Sequence, residues 1–355
     1  MQVRFPIPPR ISQTLGKLLP LLFLFFLSDA LAQNSSRSAV QELKQAQQAF
    51  DRGDFTAAAH TFEQARLANP ETKEAWRGLI LSYLNIGNIP KALGLAREAA
   101  SRWPEDGETR HLMGFVYFKS GQPEPAIQEL LHATRLMPNR YEPQLDLALA
   151  YLSTKQYLAA GEPLETVVRL KPELALPRIL LGRAYLNTNR TLPAIREFKK
   201  ALSLDSKIAL GHYHLGYAYE SLGRNPEAIT EFRKELTLHG DNAEVSYRLG
   251  RALLDSGKTQ EAEVQLRQAV RLVPENADAQ CALGKSLIEL GQPVEAIEML
   301  RKAASLNPQD PSPFFLLARA YGKLRKQEES AKALLQFAEL KKRQEELGGM
   351  AFRPN

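Results

Sequence analysis

One cysteine, Cys281, stands in 355 residues. A chain with a single thiol cannot be cross-linked internally, so its stability has to come from packing. Six histidines are scattered along it, and His212 and His214, two apart on a helix, point in different directions and cannot share a metal. Charge of one sign is also scarce. Lys and Arg number 46 against 40 Asp and Glu, a net +6 that is too small and too dispersed to argue for nucleic acid. Long apolar runs are missing except at residues 18–27, and that run, interrupted by Pro20, is about half of what a membrane span needs. Asp255 to Thr259 ends like a phosphate-binding loop, but Ala252 stands where its first glycine is required. These absences leave no cofactor and no metal to expect. Cys281 has no neighbour that marks a nucleophile, which leaves it a small, semi-buried residue.

What the chain does have is a beat. Gly87, Gly121, Gly223, Gly257 and Gly291 fall at multiples of 34 residues. Ala92, Ala126, Ala160, Ala194, Ala228, Ala262 and Ala296 keep the same spacing, as do Tyr83, Tyr117, Tyr151, Tyr185 and Tyr219. Pro70, Pro104, Pro138 and Pro172 form a fourth column, resumed by Pro274 and Pro308. A fixed period of this length is the mark of a repeat architecture, in which each unit packs only on its neighbours.

One unit, residues 73–106, shows why. Trp76, Leu79, Ile80 and Tyr83 share one face of a first helix, and Gly87 ends it in the left-handed conformation. Pro90 opens a second helix, where its missing N–H costs nothing, and Ala92, Ala96 and Ala99 let the two helices approach. Pro104 closes the unit. With Trp76, Leu79, Tyr83, Gly87, Ala92, Ala99 and Pro104 recurring in phase, the chain resembles tetratricopeptide repeat proteins. The resemblance implies an all-α, right-handed superhelical solenoid of nine helix-turn-helix units, starting at Ala39, Lys73, Gly107, Tyr141, Ala175, Ala209, Ala243, Ala277 and Pro311.

Several positions depart from the pattern. Ser206 and Gly240 replace the closing proline, Lys155 and Arg325 the turn glycine, and Glu235 a small residue; Pro163 falls inside a second helix. The repeats are expected over residues 39–347, with a short linker at 33–38 and a tail at 348–355. Residues 1–32 read as a cleaved secretory signal: Arg4, Arg10 and Lys17, then the apolar run, then Ala30-Leu31-Ala32. That order predicts export to the periplasm or beyond, with no membrane segment left after cleavage.

The resemblance also implies a working surface, the groove lined by the first helix of each unit. Adding 34 along its positions gives an apolar zone of Leu81, Phe115, Phe118, Leu149 and Leu152. A tyrosine-rich, basic zone follows, with Arg183, Tyr213, Tyr217, Tyr247, Arg251, Lys285 and Arg319. Tyrosine and arginine are enriched at binding hot spots. The expected activity is therefore that of a non-catalytic scaffold for envelope assembly or secretion, binding a protein or peptide with apolar and acidic segments. The alternatives are a regulatory subunit of a polymer-modifying complex, or a self-associating solenoid joined through Leu334, Leu335 and Phe337.

Overall fold

The computed structural model describes residues 36–350, so the expected signal and cleavage site lie outside the described residues. Eighteen α-helices follow one another in pairs, and no strand occurs among the described residues. The chain divides into two units, one up to Asn189 and one from Arg190.

The first unit holds α1 (Ser36–Asp51), α2 (Phe55–Ala68), α3 (Lys73–Ile86), α4 (Ile89–Arg102), α5 (Gly107–Lys119), α6 (Pro123–Leu136), α7 (Tyr141–Ser153), α8 (Tyr157–Leu170) and α9 (Ala175–Asn187). The linker expected at 33–38 is thus partly helical, because α1 begins at Ser36. Gly87 caps α3 at φ +85°, its N–H reaching the Leu84 carbonyl, and the Asn88 side chain accepts from Lys91 N–H to start α4. Trp76 is buried, donates its indole N–H to the Pro70 carbonyl at 2.9 Å and meets Trp103 edge-on at 5.9 Å. Around it Ile80, Ala96, Ala99, Leu112, Val116, Leu130 and Ala150 form one continuous core from α3 to α7. Pro163 is accommodated inside α8, its side chain buried in the packed face.

The turn positions without glycine adopt the same left-handed geometry. Lys155 lies at φ +60° and Arg325 at +58°. A residue with a Cβ pays about 1–2 kcal/mol for that conformation. Lys155→Gly is therefore expected to raise the unfolding free energy by about 1 kcal/mol, since part of the relief is offset by extra freedom in the unfolded chain. An unchanged or lowered urea midpoint would contradict it.

The second unit holds α10 (Thr191–Leu204), α11 (Gly211–Glu220), α12 (Asn225–His239), α13 (Ala243–Asp255), α14 (Thr259–Leu272), α15 (Ala277–Glu289), α16 (Pro293–Leu306), α17 (Ser312–Lys323) and α18 (Gln327–Met350). Three of its helix pairs close on glycine. A Cβ at Gly216 would lie 2.8 Å from the Phe232 ring, one at Gly250 2.6 Å from Leu266, and one at Gly284 2.5 Å from Leu300. α18 runs to Met350, past the point at which the repeats were expected to end.

One of the two repeats that lack a closing proline, the one ending in Gly240, is also irregular. α11 starts at Gly211, two residues after the periodic start, with Leu210 at φ +62°. Glu235 explains the delay. It is 2% exposed, and its carboxylate accepts from the backbone N–H of Leu210 at 2.8 Å and of Tyr213 at 3.1 Å. The acidic side chain in the small-residue column thus caps the first helix of its own repeat. Glu235→Ala is expected to cost about 1–3 kcal/mol, because two buried donors lose their acceptor. Glu235→Gln should cost less, and equal losses in urea unfolding would refute the capping role.

Between repeats, a side chain on a second helix meets the tyrosine of the next first helix. Arg97 donates to the Tyr117 hydroxyl at 3.2 Å, Tyr185 donates to Glu165 at 2.7 Å, and Arg301 donates to Tyr321 at 2.8 Å.

Candidate functional site

In the first unit, the five residues of the expected apolar zone are set by α3, α5 and α7. Phe115, Leu149 and Leu152 are buried, and Leu81 and Phe118 are half-buried. Phe118 packs against the cores on both sides of it, and the Lys119 ammonium sits 5.3 Å from the Phe115 ring centre. The zone therefore spends most of its apolar surface on its own helices. Its polar neighbours are internally paired as well: Arg77 and Lys73 both bond Asp106 at 2.7 Å, and His111 lies 2.7 Å from Asp146. Burial alone would raise the Asp106 carboxyl, but Lys73, Thr109 and Arg77 hold it well below the usual carboxylate range. Arg183, placed in the basic line from its spacing, is 7% exposed and faces no open surface.

The second unit is different. Tyr213 on α11 and Tyr247 on α13 are buried, Tyr217, Arg251 and Lys285 on α11, α13 and α15 are half-buried, and Arg319 on α17 is exposed. Arg248, which column reading alone passes over, ties the first of these together. Its guanidinium donates to Glu244 at 2.6 Å and to Glu220 at 2.9 Å, and lies 4.3 Å from the Tyr217 ring centre. Tyr213 donates to the same Glu244 at 3.5 Å. Burial opposes the Arg248 charge, yet Tyr213, Glu244 and Glu220 hold the guanidinium above its ordinary value. Burial also raises the phenols of Tyr213, Tyr217 and Tyr247, so all three stay neutral hydrogen-bonding groups further into the alkaline range than an exposed phenol. Glu220 could have been found in the sequence, since it is one 34-residue step beyond Leu186 in the column of Phe118 and Leu152.

Three of the sequence-derived residues meet in one pocket. Tyr247, Arg251 and Lys285 line a cavity of about 250 Å³ with Leu254, Asp255, Asp278, Cys281, Ala282, Asp310, Ser312 and Leu316. Arg251 lies over the Tyr247 ring at 5.7 Å and 4.0 Å from Glu220, not bonded to Asp255 as its i,i+4 spacing invites. Burial, with Asp310 and Asp278 adding to it, pushes the Cys281 thiol up to about 12 against the opposing pull of Lys285. Arg319 is exposed on α17 and has no ion-pair partner among the described residues. The expected basic line is thus a mixed surface, in which carboxylates surround two of its cations.

No catalytic constellation accompanies this pocket. Among the described residues there is no group of three or more His, Cys, Asp or Glu able to hold a metal, and no helix is long and apolar enough to cross a membrane.

Comparisons with known proteins agree with this architecture. A search of curated proteins finds no match. Among solved structures, the chain is similar to the APC/C hetero-tetramer Cut9-Hcn1, at 20% identity over 79% of this chain and 55% of that one, with a TM-score of 0.53. It is also similar to a tetratricopeptide repeat protein from Parabacteroides merdae, at 15% identity over 70% of this chain and 99% of that one, with a TM-score of 0.50. YrrB, a TPR protein with an unusual peptide-binding site, is 24% identical over 50% of this chain and 91% of its own, with a TM-score of 0.47. At these identities the likeness is one of fold. The sequence profile of the tetratricopeptide repeat matches residues 43–107, 179–243 and 247–311. These segments make up more than half of the chain and repeat at the period its glycines and alanines keep, so the chain belongs to the tetratricopeptide repeat family.

Proposed function

We propose that this chain is an exported, non-catalytic scaffold that holds a protein or peptide segment against the first helices of its second unit. The pocket on α13, α15 and α17 carries the reading. It brings the half-buried Arg251 and Lys285 together beside the buried Tyr247, with Asp255 and Asp278 exposed at its rim, whereas the apolar zone of the first unit is largely covered by its own side chains. A preformed repeat surface lowers the ordering cost of holding an extended segment. Envelope assembly or secretion is the setting that fits the basic, apolar and small-residue order of residues 1–32. The same scaffold could act within a polymer-modifying complex as its regulatory subunit.

Filling the pocket tests the binding reading without assuming the charge of the partner. Ala282→Trp is expected to abolish capture of envelope proteins by the exported chain, while Val264→Trp, on an exposed face of α14, leaves capture intact. Equal capture by both variants would move binding away from this surface. Export has its own readout: the mature protein should begin at Gln33, and an intact N-terminus in the purified envelope fraction would contradict cleavage.

A second reading, self-association, is favoured by one observation. Leu335 is 65% exposed and Leu334 beside it is also exposed on α18, while Phe337 is half-buried against Phe315 at 5.4 Å. A molecular mass that rises with concentration, and returns to monomer in Leu335→Glu, would support it.

A further inference from the structure

We infer that the pocket on α13, α15 and α17 is an anchor for one basic side chain, arginine or lysine, of the bound segment. The inference rests on the binding reading above and gives that partner a chemistry opposite to the one the sequence columns suggested. Size is the first argument. Pockets for cofactors and drug-sized ligands run to about 300–1,000 Å³. This one, at about 250 Å³, suits a single long side chain.

Charge is the second. Three carboxylates, Asp255, Asp278 and Asp310, come from two successive repeats to line the cavity, against the two cations Arg251 and Lys285. Arg251 already has Glu220 beside it at 4.0 Å. Asp310 accepts from the Ser312 backbone N–H at 2.8 Å, but Asp255 and Asp278 are exposed and have no ion-pair partner among the described residues. The lining is therefore net negative, and Cys281 sits in that field: Asp310 and Asp278 both act to keep its thiol protonated, and only Lys285 opposes them. An incoming cation would find carboxylates without ion-pair partners, whereas an incoming carboxylate would meet net repulsion.

The surroundings add a neighbour. Phe315, on the same helix as the lining residues Ser312 and Leu316, is 43% exposed and lies against Phe337. A residue adjacent to the basic one can rest on that pair, so the recognised element is a basic residue flanked by an apolar one.

The test uses the full chain and three fluorescein-labelled, end-capped peptides. Each is an alanine-based heptamer with leucines flanking a central residue, which is arginine, norleucine or glutamate. Fluorescence anisotropy should show the arginine peptide binding at least tenfold more tightly than the other two, and weakening as salt is raised. Asp255→Asn with Asp278→Asn, both at exposed positions, should erase that preference, and Lys285→Glu should strengthen arginine binding several-fold. Circular dichroism of each variant checks that the helices are retained. Preference for glutamate, or an arginine preference indifferent to both aspartates, overturns the basic anchor while leaving the scaffold reading intact. Absence of binding by all three peptides also overturns it, and the Ala282→Trp comparison then decides the scaffold reading alone.

Discussion

Gly250→Val is expected to destabilise the second unit by about 3 kcal/mol, the upper part of the range for overpacking a well-filled core. Gly250 stands on α13 where α14 crosses it. A Cβ there would lie 2.6 Å from Leu266 Cγ and 3.3 Å from the Ala262 carbonyl oxygen. Leu266 is fully buried and has no space to retreat into, and the backbone oxygen cannot move without shifting its helix. Gly94, on α4, is the matched control, because nothing lies within 4 Å of its Cβ position. Gly94→Ala should instead stabilise the chain by about 0.5–1 kcal/mol through helix propensity alone. Urea unfolding of both variants measures the contrast. If both shift the midpoint the same way, close helix approach is not what Gly216, Gly250 and Gly284 provide.

Cys281 should be close to inert in the folded protein. Its thiol is raised from 9.0 to about 12, chiefly by burial. At about pH 8 the folded chain then carries roughly a thousandfold less thiolate than the unfolded chain, and iodoacetamide labelling should slow by a similar factor. As the only thiol, it makes the measurement free of competing sites. The linkage follows the same sign. Between pH 9 and 12 the unfolded chain releases this proton while the folded chain keeps it, so stability falls as pH rises through that window. Labelling at the same rate in buffer and in denaturant would contradict the burial.

The alanine, glycine and tyrosine columns made the helix pairing legible, because those residues are small, left-handed or phase-locked for reasons every repeat shares. Where a repeat departs from the period, the sequence could mark the place but not the consequence. Glu235 was visible as an acid among alanines; that its carboxylate turns back to cap α11 and delays that helix depends on the chain path. The site was less legible than the fold. Spacing put Arg183 and Arg251 in one line, but a side chain's exposure is set by what the neighbouring helices place over it. Arg183 is buried, while Arg251 is half-buried at a pocket with acids on its rim. The three aspartates escaped the columns because they sit at different positions of their repeats and converge only when helices from successive repeats lie side by side.

The contacts that join a second helix to the tyrosine of the next repeat bear on how the protein responds to load. Arg97 with Tyr117, Glu165 with Tyr185 and Arg301 with Tyr321 each bridge about 20 residues of sequence, and the cores they border are as local. A chain held by short-range ties has no single clasp whose failure releases everything. Pulled from its two ends, it should peel repeat by repeat, each 34-residue step freeing roughly 120 Å of extended chain. Such a molecule behaves as a spring with many shallow detents, able to lengthen under tension and re-form behind it.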